Sequence, residues 1–310
     1  MRWLRKTNRE TGWMVVNAGD GELAAVQSAP GAGRPQLRQY IVRAVDNEAT
    51  ALQRAARDLH LERYQCATLL EPEDYQIVVV DAPNVPASEL KTAMRWRVKN
   101  LIDAHIDDVT LDVLDIPAPN DAPSHKHSMY AVAGRNEAIG EIIKRFEGAE
   151  IPLSVIDIAE TAQRNIAALY EDAGRAAALL YFNNRGGMLT INYQNELYLS
   201  RRFDITHPQL VDADTAAREA AQGRVLIELQ RSLDHFDRQF RTITISKLLL
   251  GPEPTPSGMA DSLASGSGLS VQHIDLNEVL QIAGGPLDVR MQWRLFHLIG
   301  ASLRQEVKTL

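Results

Sequence analysis

Runs of alternating apolar and polar residues give way to apolar residues spaced three and four apart, and the chain does this twice in the same order. Residues 179–205 read as three strands joined by tight turns. Ala178 to Phe182 is an apolar run. Asn183-Asn184-Arg185-Gly186-Gly187 has turn chemistry, because Asn and Gly tolerate positive φ. Met188 to Tyr193 alternates, Gln194-Asn195-Glu196 turns, and Leu197 to Phe203 completes a β-meander. The N-terminal half opens likewise. Trp13 to Val16 is a strand, Asn17-Ala18-Gly19-Asp20-Gly21 a turn, and Leu23 to Gln27 the return. After a loop at Pro30–Pro35, Leu37 to Val45 is a third strand. Asn47 then caps a helix to Leu59 with Leu52, Ala55 and Ala56 inward.

Two meanders, each followed by helices, are how the halves of an actin-like, ribonuclease-H-like α/β fold begin. Between them, residues 65–135 read as an insertion with its own strands at Tyr75–Asp81, Val109–Ile116 and Met129–Ala133. Pro83 and Pro86 break the first of these, and Ser88 caps a predicted helix over 89–103. Leu90, Met94, Val98 and Leu101 share one face of that helix. Lys91, Arg95 and Lys99 form a basic stripe on another, near Trp96. Such a stripe is either a solvated face or a docking face for an acidic or amphipathic partner segment. A helix over 137–146, a strand over 153–158 and a helix over 160–170 lead into the second half.

Beyond the second meander, a helix over 212–221 is expected to end at Gly223. A second helix would then carry the stripe Leu226, Leu229, Leu233, Phe236 and Phe240 inward. His235 beside Asp234 is not a catalytic pair, since helix neighbours point in different directions. Thr242 to Leu250 is a buried strand, 252–270 a Pro/Ser/Gly-rich mobile loop, 271–274 a short strand and 292–308 the final helix.

At 310 residues the chain suits about two domains. A net charge of −7 argues against a nucleic-acid partner. The single cysteine, Cys66, cannot form an internal disulfide and fits a reducing compartment. No signal peptide is evident, and no apolar run approaches the roughly 20 residues of a membrane span. Residues 1–9 carry Arg2, Arg5, Lys6 and Arg9 around Trp3 and Leu4, a frayed end or a contact for an anionic membrane. His125 and His127 lack a third ligand nearby, so no metal is expected.

Tyr75–Val80, Ala82-Pro83-Asn84-Val85-Pro86, Met94–Asp103, Asp112–Pro117, Tyr130–Ala133, Glu228–Asp234 and Ile299–Arg304 occur in an order and spacing that cover nearly the whole chain. In these stretches the chain resembles the MshI-type biogenesis proteins of mannose-sensitive haemagglutinin (MSHA) pili. These are similar to PilM of type IV pili and to the cytoplasmic part of the secretion protein GspL. The resemblance implies an actin-like ATPase fold with a first domain over 1–170, a second over 171–310, and helix 292–308 near the interdomain cleft. It also implies a cytoplasmic protein, peripheral at the inner membrane, that binds the tail of a PilN-like membrane protein and links it to a pilus assembly ATPase. Leu90, Met94, Trp96, Arg97 and Leu101 are the candidate partner contacts.

For nucleotide, the family pattern places an Asp-x-Gly-Ser turn where this chain has Asn17-Ala18-Gly19-Asp20, with Ala24 in place of a Lys. In the second turn Asn183 stands for an Asp, with Gly186 and Gly187 following. The adenosine turn keeps Gly251 but follows it with Pro252, which has no amide hydrogen. Tight turns alone also demand such glycines. The expectation is a pseudo-ATPase scaffold without catalytic residues or a resident ATP/Mg cofactor, in which hydrolysis is lost and nucleotide binding is weak or absent, with Asp20 the one carboxylate that could hold magnesium in place of Asn17. The alternatives are an active ATPase and a GspL-like secretion protein, which would usually continue into a membrane span.

Overall fold

A computed structural model describes residues 10–117 and 127–305. The basic end over 1–9, the loop residues 118–126 with His125, and the last residues of the expected 292–308 helix lie outside the described residues. The first lobe starts with the meander β1 (Trp13–Gly19), β2 (Glu22–Ala29) and β3 (Gln36–Ala44), followed by α1 (Glu48–Asp58) and β4 (Gln65–Leu69). Next come β5 (Tyr75–Asp81), α2 (Leu90–Val98), β6 (Val109–Ile116) and β7 (Ser128–Arg135). The lobe closes with α3 (Asn136–Gly148) and β8 (Leu153–Asp157), and α4 (Ala159–Ala167) leads out of it. The second lobe repeats the meander in β9 (Ala176–Phe182), β10 (Gly187–Tyr193) and β11 (Glu196–Phe203). It continues with α5 (His207–Leu210), α6 (Thr215–Gln239), β12 (Ile245–Leu250), α7 (Ala260–Ser267) and β13 (Ser270–His273). Last are α8 (Leu276–Val279), β14 (Gln281–Ile282) and α9 (Val289–Ser302).

The sheets run β14-β3-β2-β1-β4-β8 and β11-β10-β9-β12-β13. In each, three meander strands pair antiparallel, a fourth strand pairs in parallel with the first of them, and a fifth pairs in parallel with the fourth. Period-2 alternation places the sheets. Trp13 and Val15 face the core shared between the lobes, whereas Met14 and Val16 face the core under α1 and α3. Ala177, Leu179 and Tyr181 meet the shared core, and Ala178, Leu180 and Phe182 the far side under α6. Helices α4 and α9 fill the space between the sheets. Their backbones touch at Gly300, where a Cβ would lie 2.1 Å from the carbonyl oxygen of Ala162.

The structure departs from several expectations, among them the final helix, which starts at Val289 and stops at Ser302 rather than running over 292–308. Gln65–Leu69 pairs with β1 and β8, so it belongs to the first sheet, and the separate three-stranded sheet β5-β7-β6 starts at Tyr75. Helix α6 runs unbroken through Gly223, because Ala221, Val225 and Leu229 hold it on both sides. A mid-helix Gly costs only about 1 kcal/mol. The expected loop 252–270 contains α7, anchored by Met259 and Leu263. Helix α2 stops at Val98 rather than 103 and has Glu89, not Ser88, at its cap position.

Candidate functional site

The turn after β1 and the turn after β9 face each other across a cleft of about 350 Å³, whose lining includes Asp20, Tyr181, Asn183, Arg185, Trp293 and His297. Arg185, from the second lobe, spans it. Its guanidinium pairs with Asp20, with Glu71 at 3.0 Å and with Glu73 at 3.2 Å. The Asp20 hydrogen bond, ahead of the Glu71 and Glu73 charges, holds the Arg185 pKa above its ordinary value. Burial pushes the Glu71 carboxyl up, and Arg185 opposes that shift. At the same mouth Arg294 pairs with Glu22.

The side chains of Asn17 and Asn183 already have partners. Asn17 accepts from Thr68 Oγ1 at 3.3 Å and donates to Glu71 at 3.4 Å. Asn183 turns its carboxamide oxygen onto its own loop, accepting from the amides of Arg185 at 2.8 Å and Gly186 at 3.1 Å. Those are the amides that a phosphate-cradling turn would aim outward. The cleft therefore brings together Asn17, Gly19, Asp20 and Asn183 among the sequence candidates. Gly186, Gly187 and Gly251 do not line it. A Cβ on Gly187 would meet the Phe182 ring at 2.2 Å, and one on Gly251 would meet Tyr181 at 2.6 Å. Packing requires glycine at both positions. Among the described residues no group of three or more His, Cys, Asp or Glu side chains is arranged to hold a metal ion.

Beside the cleft, a slot of about 230 Å³ runs toward α3. Asp20, Glu48, Glu71, Asp74 and Glu141 stand against Arg145 and Arg185 over an apolar floor that includes Leu52, Ile142 and Phe146. Arg145 bonds Glu48 at 3.1 Å and the Ala18 carbonyl at 3.3 Å. Its buried Nε has no acceptor among the described residues. By contrast, α2 lines neither the cleft nor the slot. Met94 and Val98 are fully buried beneath it, packed with Val80, Val113 and Met129. Met94 is thus a core residue and not a partner contact, as period 3.6 requires of the side facing the small sheet. Leu90 is half-buried, Arg97 exposed, Trp96 70% exposed and Leu101 54% exposed, so the five candidates do not form one face.

Pattern reading missed the residues that join the lobes. Glu160, with no exposed surface, accepts from Tyr75 of β5 and from Arg202 of β11 at 2.8 Å. Arg202 also donates to the Pro72 carbonyl at 2.8 Å and lies 4.2 Å from the Tyr75 ring centroid. No local motif marks residues brought together from 75, 160 and 202. His297 lies edge-on to Tyr181, with Nε2 3.4 Å from Gln163. Burial, and secondarily the Arg202 charge, pulls its pKa down to about 4 from 6.5.

The folded state thus binds fewer protons than the unfolded state between those two values. The stabilisation from keeping His297 neutral is complete above pH 6.5 and is lost as pH falls toward 4. Urea denaturation at pH 7 and pH 5 should show His297→Gln losing about 1–2 kcal/mol less on acidification than the unsubstituted protein. Equal losses would refute the assignment.

No known family model and no curated protein matches the chain by sequence. Solved structures do match. The PilM–PilN type IV pilus biogenesis complex aligns with a TM-score of 0.70 at 18% identity, covering 96% of this chain and 98% of that one. The cytoplasmic domain of EpsL, an inner membrane component of the type II secretion system of Vibrio cholerae, aligns with a TM-score of 0.50 at 11% identity, covering 93% and 95%. The duplicated sheet order and the crossing helices fit these likenesses, and the chain has the actin-like ATPase fold.

Proposed function

We propose that the chain is a non-enzymatic scaffold of an MSHA-type pilus assembly machine, which docks the N-terminal tail of a PilN-like membrane protein and links it to the assembly ATPase. In this reading it is peripheral at the inner membrane through that partner. The observation that carries the loss of ATPase activity is the closed second turn. Asn183 occupies amides a phosphate would need, Asn17 offers no charge for magnesium, and Arg185 is neutralised by three carboxylates. The tail is assigned to the slot between the first turn and α3. Glu141 suits a basic side chain of an extended segment, and the open Arg145 Nε–H suits one of its carbonyl oxygens. Likeness to a PilM–PilN complex supports the class of partner.

Two titrations test this. A peptide of the PilN-like tail should bind, and Glu141→Lys should weaken it about tenfold. ATP with magnesium should show no saturable binding in the micromolar range. Micromolar nucleotide affinity with turnover would overturn the scaffold reading, and a tail indifferent to Glu141→Lys would remove the slot. The EpsL likeness favours a second reading, a secretion-system scaffold on the same fold. Preferential binding of a secretion-system partner over the PilN-like tail would select it.

A further inference from the structure

Trp96 is an oddity on a soluble surface. Among the described residues it is the most exposed large apolar side chain, at 70%. It lies two positions from the buried Met94, roughly 200° around α2, and so points away from the inserted sheet. The stretch Leu90–Ile102 carries Lys91, Arg95, Arg97 and Lys99 and no carboxylate, in a chain of net charge −7. Lys91 and Arg95, toward one flank, pair with Asp112 at 3.3 Å and Asp107 at 2.7 Å. Asp103, the next acid in sequence, is held back by Gln76 of β5. Lys99 sits 5.0 Å from the Trp96 ring centroid, and Arg97 has no carboxylate in ion-pair range among the described residues. The outward ridge of α2 is therefore an indole flanked by cations.

We propose that this ridge is a direct contact for an anionic lipid surface. An indole settles at the headgroup level with its apolar body inward, and neighbouring Lys and Arg reach lipid phosphates. Shape selects a bilayer over a peptide. The ridge lines neither cavity described above, so it offers no groove for a chain, whereas a deformable membrane meets a convex side chain readily. The contact would be weak and reversible, worth about fivefold in partition per cation. It is independent of the tail slot, which lies on other elements, and either could fail alone.

Vesicle sedimentation and tryptophan fluorescence test it on a Trp3→Phe background, since Trp3 belongs to the terminal segment outside the described residues. Trp13 is buried and the Trp293 N–H donates to the Phe182 carbonyl, so Trp96 becomes the solvent-facing reporter. Phosphatidylcholine vesicles containing phosphatidylglycerol should bind the protein and shift its emission to the blue, and phosphatidylcholine alone should not. Trp96→Ala should weaken binding about fivefold and abolish the shift, and Arg97→Glu should weaken it about twentyfold. Both residues are exposed, so melting temperatures should not change. Equal binding to neutral vesicles, undiminished binding by Trp96→Ala, or capture of a soluble acidic peptide without vesicle binding would each overturn the proposal.

Discussion

Urea denaturation of Glu160→Ala should report a loss of about 2–4 kcal/mol in unfolding free energy, less than for a fully buried pair because the Arg202 side chain is 33% exposed. The substitution removes the only carboxylate within ion-pair range of Arg202 among the described residues and leaves the buried Tyr75 O–H without its acceptor, although the hydroxyl oxygen still accepts from the Ala159 amide. Breaking one side of a buried pair costs far more than the pair contributes, because the remaining charge keeps its desolvation penalty. Glu160→Gln should lose less, since its amide oxygen can still accept from Arg202 while its NH2 donates to the Tyr75 hydroxyl oxygen. Tyr75→Phe should cost only about 1–2 kcal/mol, as Glu160 keeps its bonds from Arg202. A loss below about 1 kcal/mol for Glu160→Ala would show that water already reaches the clamp.

Gly300→Ala is the second large effect, expected at about 3 kcal/mol. The new methyl carbon would lie 2.1 Å from the Ala162 oxygen and 2.7 Å from its carbonyl carbon. A relaxed C···O contact is about 3.3–3.6 Å. Because the clash is backbone against side chain, no rotamer relieves it, and α4 and α9 must separate. That would loosen the bond from Asn165 Nδ2 to the Gly300 carbonyl, 2.9 Å in the native crossing. Gly223→Ala is the control. A Cβ added there, on α6, would meet nothing within 4 Å, so the variant should gain about 1 kcal/mol from helix propensity. Matching effects at the two sites would mean that the crossing yields easily.

Much of this fold was legible because each half begins with a local signal. Alternation places a strand's faces, and turns rich in Asn and Gly mark its ends, so both meanders can be read from residues close together in sequence. Helix ends were less legible. Gly223 looks like a stop, yet packing at Val225 and Leu229 overrides it, while the short α7 hides in a Ser/Gly-rich stretch until Leu263 is seen to be buried. The cleft turns could be named from sequence, but not their state. Only the folded chain reveals that Asn183 closes its own loop and that Arg185 reaches Glu71 and Glu73 of the other lobe. Trp96 shows the same limit. Its place on a helix is periodic, but whether it faces core or solvent depends on which side the small sheet covers.

The repeated halves are not interchangeable parts. Strand β14, at Gln281–Ile282, finishes the edge of the first sheet beside Gln36 and Leu37, and α9 roofs β1, β2 and β4. During synthesis the first sheet has all its early strands once residue 157 has emerged, yet its lid is still more than a hundred residues from being translated. Until then Trp13, Val15, Val26 and Leu69 lack the neighbours that later bury them. The nascent first half should therefore depend on a chaperone or on delayed compaction, and a stop codon placed between the lobes would yield an aggregating fragment rather than half a working protein.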